Sequence, residues 1–356
     1  MMIEADTLVI GAGPVGALAA WLRAEREQVV VAARTAFGGD AAPILEVIPG
    51  STVALLEETL ALTSGISPIE ERLVAWSSAE PTELAGAPYV VDRSVLDPAI
   101  LARVVSHPRV SVVPELQRDL RVGPYRANGI RAARVIDATG RSAVTATHRV
   151  SFGEPWAAWS FWSARPRSVR PGLRVAALTT GYAIRISSSR HTVFSFMGPA
   201  REPLSASEWM RSVKHEAPFV LEGCSFGQWE RGGTRCPSLA IFDGNELRIG
   251  DASFARDALS SQGLAAGLSE ALYAAAVESV EDAELLRRRQ RAQLADHLTS
   301  LWQAASSVRF ADAPVWTGYR ACLSALQRTL TPAASHAPLT ALERGRITSV
   351  DAEPAA

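Results

Sequence analysis

The sequence holds only three cysteines, Cys224, Cys236 and Cys322, an odd number with no pair at a metal-ligand spacing. That count excludes a disulfide-stapled secreted scaffold and makes a reducing compartment the expected home. Lysine is nearly absent: Lys214 stands alone among 36 basic residues, the rest arginine, a bias read as GC-rich coding and not as chemistry. The six histidines, at 107, 148, 191, 215, 297 and 336, are scattered with none at a zinc spacing, so no metal site is expected. Neither sign of charge is in excess. Against 37 acidic residues the net charge is −1, which disfavours a nucleic-acid or anionic-membrane binder. No uninterrupted run of 18 apolar residues exists, so no transmembrane helix is expected. The apolar stretch Thr7-Leu8-Val9-Ile10 has no basic region before it and leads into glycines. A signal peptide is therefore not expected, and the expected location is cytoplasmic.

What is present suits a globular chain. Its 356 residues allow one large or two smaller domains, and 47% hydrophobic with 21% charged residues argues against extended disorder. Residues 5–34 read as a βαβ unit: a strand ending at Ile10, a helix from Ala17 to about Arg26, and a buried strand Val29-Val30-Val31. Residues 36–85 read as irregular, with a short helix over 52–62. A strand at 89–93 feeds a helix over 97–106, Val110–Val113 is a short strand, and 134–141 is a strand ending in a glycine turn. From 149 to 245 short alternating runs such as 182–186 and 192–197 predict an antiparallel sheet. A buried strand returns at 247–251. Helices follow over 264–279 and 283–330, and an Ala/Pro/Thr-rich tail closes the chain.

Gly11-x-Gly13-x-x-Gly16 follows a strand and opens a helix. The first glycine allows the tight turn. The second leaves room for a pyrophosphate, and the third lets helix and strand pack closely. The helix N-terminus, reached through Pro14 and Val15, offers N–H groups to the phosphates. An acidic residue should end the second strand to bind the ribose. Here that place falls on Ala33 or Arg34. Arg34 fits a phosphate, as in NADP readers, or the adenosine of FAD, or a weakened site; the residues do not choose.

Two further segments follow at a distance: Asp137-Ala138-Thr139-Gly140-Arg141, and Gly250-Asp251 with Asp257-Ala-Leu-Ser-Ser-Gln262-Gly263-Leu264. With the glycine loop, their order and spacing resemble the FAD-dependent monooxygenases of the hydroxybenzoate-hydroxylase fold class. The resemblance implies that Asp251 holds the ribityl chain and that Gln262, Gly263 and Leu264 lie against the flavin pyrimidine ring. It also implies that Arg93, in Val91-Asp92-Arg93, contacts FAD; an ion pair with Asp92 or Asp97 is the plainer reading of that arginine. The Gly250–Gly263 stretch is similar to the tryptophan-halogenase subgroup, and closer to flavoproteins that mature quinone-cofactor amine oxidases and dehydrogenases by modifying a protein-bound tryptophan. Arg309-Phe310 with Pro314 and Trp316 resembles that subgroup's C-terminal segment. The likeness spans about residues 5–325 and is continuous only in these motifs.

The resemblance implies an α/β fold: a Rossmann-type FAD-binding domain from 1–150 and 247–280, interleaved with an antiparallel-sheet substrate domain at 151–246. A C-terminal helical segment at 281–330 and a flexible tail at 331–356 complete it. It further implies hydroxylation of an electron-rich aromatic substrate, small or within a peptide or protein, by way of a flavin C4a-hydroperoxide. No second dinucleotide loop is visible, so electrons come from NAD(P)H directly or through a separate flavin reductase, the latter preferred. Trp156, Trp159 and Trp162 suit either core packing or stacking of an aromatic substrate. The Trp-x-Trp-x-Ile-Pro signature of halogenases is missing, and so is their N-terminal lysine, Lys214 being in the sheet insert. The other readings are a flavin-dependent halogenase, a reductase of the geranylgeranyl-reductase type, whose Tyr-x-Trp-x-Phe-Pro signature is missing, and a non-catalytic binding protein of the same fold. No general base is evident; His191 and His215 read as structural or exposed.

Overall fold

The run Leu8-Val9-Ile10 closes an eight-residue strand, Ile3–Ile10 (β1), whose last four residues are all buried. Continuous burial of this kind marks an interior strand of a parallel sheet. The computed structural model describes residues 3–33, 43–86, 88–114, 126–127, 130–146, 148–151, 156–165, 168–199, 205–224, 229–234, 238–241, 246–257, 259 and 262–330. After β1 the strands follow in chain order: β2 (Val29–Ala33), β3 (Leu45–Ile48), β4 (Ile66–Pro68), β5 (Glu71–Ala75), β6 (Tyr89–Asp92) and β7 (Val110–Pro114). Next come β8 (Ile130–Asp137), β9 (His148–Ser151), β10 (Trp156–Ala164), β11 (Gly172–Leu178), β12 (Gly181–Ser187), β13 (His191–Pro199), β14 (Trp229–Thr234) and β15 (Ser238–Ile241). The helices are α1 (Pro14–Ala24), α2 (Gly50–Leu60), α3 (Arg93–Val105), α4 (Ala206–Glu216), α5 (Gly263–Ala276), α6 (Val280–Ser307) and α7 (Pro314–Leu330).

The first sheet runs Leu247–Arg248, β8, β1, β2, β7, all parallel, with Arg126–Ala127 set antiparallel on β8. This is the doubly wound arrangement expected from the βαβ unit. Helices α1 and α5 pack side by side on it through Ala17, Leu18, Leu268 and Ala271. Arg23, fully buried on α1, donates to the carbonyls of Ala274 and Val277 at the end of α5. A guanidinium there satisfies carbonyls that the helix leaves unpaired and favours the negative dipole end. Burial, then the charge of Arg134, push its pKa down to about 10.

The large sheet has the order β14, β10, β13, β12, β11, β5, Thr82–Glu83. It is antiparallel except where β5 lies parallel to β11. Residues 36–85, read as irregular, thus contain β3, β4 and β5, and α2 begins at Gly50. These strands have three to five residues and pair with partners far along the chain, so no local pattern reveals them. The pairing also carries Glu71–Ala75 and Thr82–Glu83 into a sheet expected within 151–246. One sheet face packs Phe161, Phe194 and Phe196 against Trp209 and Val213 of α4. The other face carries Val175, Tyr182 and Ile184 and meets Leu45, Val90, Phe254 and helices α6 and α7. Trp156, Trp159 and Trp162 lie on β10, a strand and not a helix.

Candidate functional site

Three adjacent parallel strands end in register. Ile10 of β1 pairs with Asp137 of β8, and Asp137 pairs with Arg248. The loops that follow them, Gly11–Gly16, Ala138–Arg141 and Gly250–Asp251, are therefore delivered to one edge of the sheet. Ligands of open α/β sheets bind in the crevice outside the carboxyl ends of the strands.

The glycines in these loops are held by different constraints. Gly11 has φ +98°, and a Cβ there would lie 2.5 Å from the Ala138 carbonyl oxygen. A Cβ on Gly16 would lie 2.1 Å from the Gly11 oxygen. Gly13 is the opposite case: no atom lies within 4 Å of where its Cβ would be. The loop is closed at its first and third glycines and open at the second, the shape that a dinucleotide pyrophosphate needs. Gly140 also faces open space, with φ +62°. Helix α1, with Pro14 at its start, carries no side-chain N-cap, and neither does α5 after Gln262. By contrast α3, α4 and α6 are capped by Asp92, Ser205 and Ser279. Among the described residues α1 and α5, like α2, thus start without a side-chain N-cap, and a helix start of that kind suits an anion.

Buried carboxylates build the turns. Asp137 accepts from the backbone N–H and hydroxyl of Thr139 at 2.9 and 2.6 Å, and from those of Thr145 at 2.9 and 2.8 Å. Arg248 donates to the Thr145 hydroxyl at 2.6 Å and ties the two turns together. Glu270, on α5, accepts from the Gly250 N–H at 2.9 Å, the Ser253 hydroxyl at 3.1 Å, Arg256 at 2.9 Å and Gln290 at 3.0 Å. Asp257 accepts from the Leu259 N–H at 2.8 Å, Tyr182 at 3.0 Å and Tyr319 at 2.6 Å. It joins the segment after the Gly250 turn to β12 and to α7.

Asp251 lies at the start of α5; its Oδ1 is 4.0 Å from a Cβ built on Gly263. Its Oδ2 faces the Arg141 Nε at 3.4 Å, both side chains being partly exposed. Val15 packs against Gly250 and Gly267, and Leu264 is buried in the core of the first sheet. Arg93 stands at the head of α3 and is engaged by Asp97 at 2.5 and 2.7 Å and by Glu46 at 2.6 Å. Arg34, Ala258, Ser260 and Ser261 lie outside the described residues. The structure thus gathers the residues of all three motif loops at one edge and adds Asp137, Glu270 and Arg256. Glu270 is the lone acid in the apolar stretch Gly263–Ala276, a signal that was available.

The residues present fit the FAD implied by the motifs. Gly13 and the α1 terminus would take the pyrophosphate, the partly exposed carboxylate of Asp251 would take the ribityl chain, and the start of α5 would face the flavin ring. No protein-family profile matches the sequence, and no curated protein sequence matches it. Solved structures do match. The myxobacterial chondrochloren halogenase CndH, an FAD-dependent halogenase, superposes with TM-score 0.75 at 18% identity, over 94% of this chain and 91% of that one. The peptidyl tryptophan dihydroxylase QhpG, essential for tryptophylquinone cofactor biogenesis, superposes with TM-score 0.69 at 21% identity, over 88% and 78%. The flavin-dependent brominase Bmp2 gives 0.67 at 16%, over 92% and 93%. The chain therefore has the fold of the FAD-dependent halogenases and of the peptidyl tryptophan dihydroxylase, with the three motif loops at one edge of its parallel sheet.

Proposed function

We propose that the protein is an FAD-dependent monooxygenase that hydroxylates an electron-rich aromatic ring, in particular a tryptophan side chain within a peptide or protein. The observation that carries this reading is the convergence of the open Gly13 loop, the Asp251 carboxylate and the uncapped α5 terminus at in-register strand ends. When bound, FAD supplies the oxygen-activating redox chemistry. The chain's own residues bind it, orient it and present N–H groups to negative charge on the reduced ring.

Hydroxylation is preferred to halogenation because of the lysine. The single lysine of the chain, Lys214, is exposed on α4. That helix covers the sheet face opposite the Gly250 turn. No lysine is thus placed to hold a halogenating species. The half-buried Trp162 on β10 suits stacking of an aromatic substrate. Electrons are assigned to NAD(P)H through a separate flavin reductase.

The test is direct. Purified protein is loaded with FAD, reduced anaerobically with NAD(P)H alone or with an added flavin reductase, and exposed to oxygen with N-acetyltryptophanamide in chloride and bromide buffer. Gain of oxygen in the product mass supports the proposal, and exchange of hydrogen for halogen favours the halogenase reading. Absence of a flavin spectrum with excess FAD rejects both.

A further inference from the structure

The face of the large sheet turned toward the Gly250 turn is divided in two. Over β11 and β12 it is sealed by α6 and α7, through residues such as Leu298 and Trp316. Over β10 and β13 it is half-open. The register sets Trp162 beside Val193 and Ser160 beside Ser195 on this face, and all four are partly exposed. His191 shares the face at the start of β13. Among the described side chains of this strip it is the only ionisable one.

His191 is not loose. Its Nδ1 lies 2.8 Å from Oδ2 of Asp92, whose side chain is 2% exposed against 26% for the imidazole. The other oxygen of Asp92 caps α3 by accepting the Ser94 N–H at 3.1 Å. A carboxylate only accepts, so Nδ1 carries the proton, and in the neutral ring of that tautomer Nε2 is the accepting nitrogen. The edge of the ring meets Trp162 at 6.2 Å. Asp92 is also the residue before Arg93, at the junction of the parallel-sheet half with the large sheet.

We propose that His191 and Asp92 form a proton-transfer pair, in which Nε2 of His191 removes the ring proton of an aromatic substrate held on the open strip beside Trp162. This rests on the monooxygenase reading above. Overall, an aromatic C–H, O₂, and two electrons with two protons from the reduced flavin give C–OH, water and oxidised flavin. The step assigned to His191 lies late. Once the ring carbon has bonded to the incoming hydroxyl, that carbon is tetrahedral and the ring is one electron pair short. Its C–H bond then breaks, the pair returns to the ring, and the proton passes to Nε2 and, through solvent, to the oxygen that leaves as water. Asp92 is the positioning residue that sets the tautomer.

The experiment compares wild type with His191→Gln and Asp92→Asn, using N-acetyltryptophanamide and its ring-deuterated form. His191→Gln should bind FAD and the probe as before, lose about 100-fold or more in kcat, and show a primary deuterium isotope effect that wild type lacks. Asp92→Asn keeps the cap, because Asn caps a helix as well as Asp, yet should lose kcat through the wrong tautomer. A His191→Gln enzyme with wild-type kcat and no isotope effect overturns the proposal. Should wild type bind FAD but leave the probe unchanged, the substrate assignment under Proposed function fails, and the pair is judged by ¹⁵N NMR of the holoenzyme. An Nδ1–H imidazole that switches to Nε2–H in Asp92→Asn supports the pair; an Nε2–H imidazole in wild type sinks it.

Discussion

Glu270 offers the sharpest test of how the cofactor turn is held. One of its oxygens faces Arg256 at 2.9 Å; the other takes the Gly250 N–H, the Ser253 hydroxyl and Gln290. Both charged side chains are about 97% buried or more. Glu270→Gln keeps an acceptor for Gly250 and removes the charge opposite Arg256. Breaking a buried pair in this way costs about 3–5 kcal/mol. At roughly 2 °C per kcal/mol for a large domain, Tm falls by about 6–10 °C. Affinity for FAD should change little, since the turn stays anchored. Glu270→Leu removes the acceptor as well. A lost hydrogen bond to a charged group is worth about 1.5–3 kcal/mol, so FAD binding weakens roughly ten- to hundredfold.

The double variant Arg256→Met/Glu270→Leu separates the two effects. Taking out the cation removes the buried charge that Glu270 no longer faces and should return several degrees of Tm. Affinity for FAD should stay low, because the Gly250 N–H still lacks its acceptor. Differential scanning fluorimetry and FAD fluorescence titration on the three variants read the two quantities separately. If Glu270→Gln lost as much affinity as Glu270→Leu, or if the double variant regained FAD binding along with Tm, the backbone anchor would not be what holds the turn.

Other expectations follow from the same geometry. Gly13→Val should leave apoprotein stability nearly unchanged, because its Cβ meets open space, and abolish FAD retention; a yellow, fully loaded variant would refute the pyrophosphate assignment. Gly16→Ala should instead destabilise the apoprotein by about 1–3 kcal/mol or more through overpacking against the Gly11 carbonyl, as urea unfolding will read. Asp251→Ala should weaken FAD in fluorescence titration and remove the Asp251–Arg141 ion pair; unchanged affinity argues against the ribityl role. His297 is 4% exposed with, among the described residues, no hydrogen-bond partner at either ring nitrogen, and burial, then the Arg256 charge, push its pKa down to about 3. Its folded pKa lies below the unfolded value near 6.5, so its contribution is full above pH 6.5 and is lost as pH falls toward 3, at about 1.4 kcal/mol per pH unit. His297→Leu should flatten that slope and raise Tm; superimposable pH–stability curves for variant and wild type contradict this account.

The parts of the site that were legible in the sequence are those where backbone geometry dictates residue type. Gly11 and Gly16 are glycines because any side chain would strike a carbonyl, and Gly250 because its φ is +60°. Their strand–turn–helix context is local, so spacing alone reveals it. The parallel sheet and the C-terminal helices were legible for the same reason. What was hidden is held by contacts between distant residues. Asp92 and His191 are 99 positions apart, and the pairing of β5 with β11 spans about as many. Arg93 shows the limit from the other side. Its motif implies a cofactor contact, while the structure shows its guanidinium engaged by Asp97 and Glu46, the pairing with Asp97 that the sequence also offered.

The two halves of the large sheet's inner face have different chemistry because different elements cover them. Tyr182, Trp316 and Tyr319 crowd the half under α6 and α7, and both phenols end on Asp257. That carboxylate also takes the Leu259 N–H in the segment leading to α5. One buried acid thus ties the chain just before α5 to the sheet on which we propose the substrate lies. Rigid coupling is what oxygen transfer demands, since a displacement of about 1 Å between reacting groups can cost 100-fold in rate. The half over β10 and β13 is partly exposed; it is where we propose the substrate lies, and among its described side chains are an aromatic ring, two hydroxyls and an imidazole.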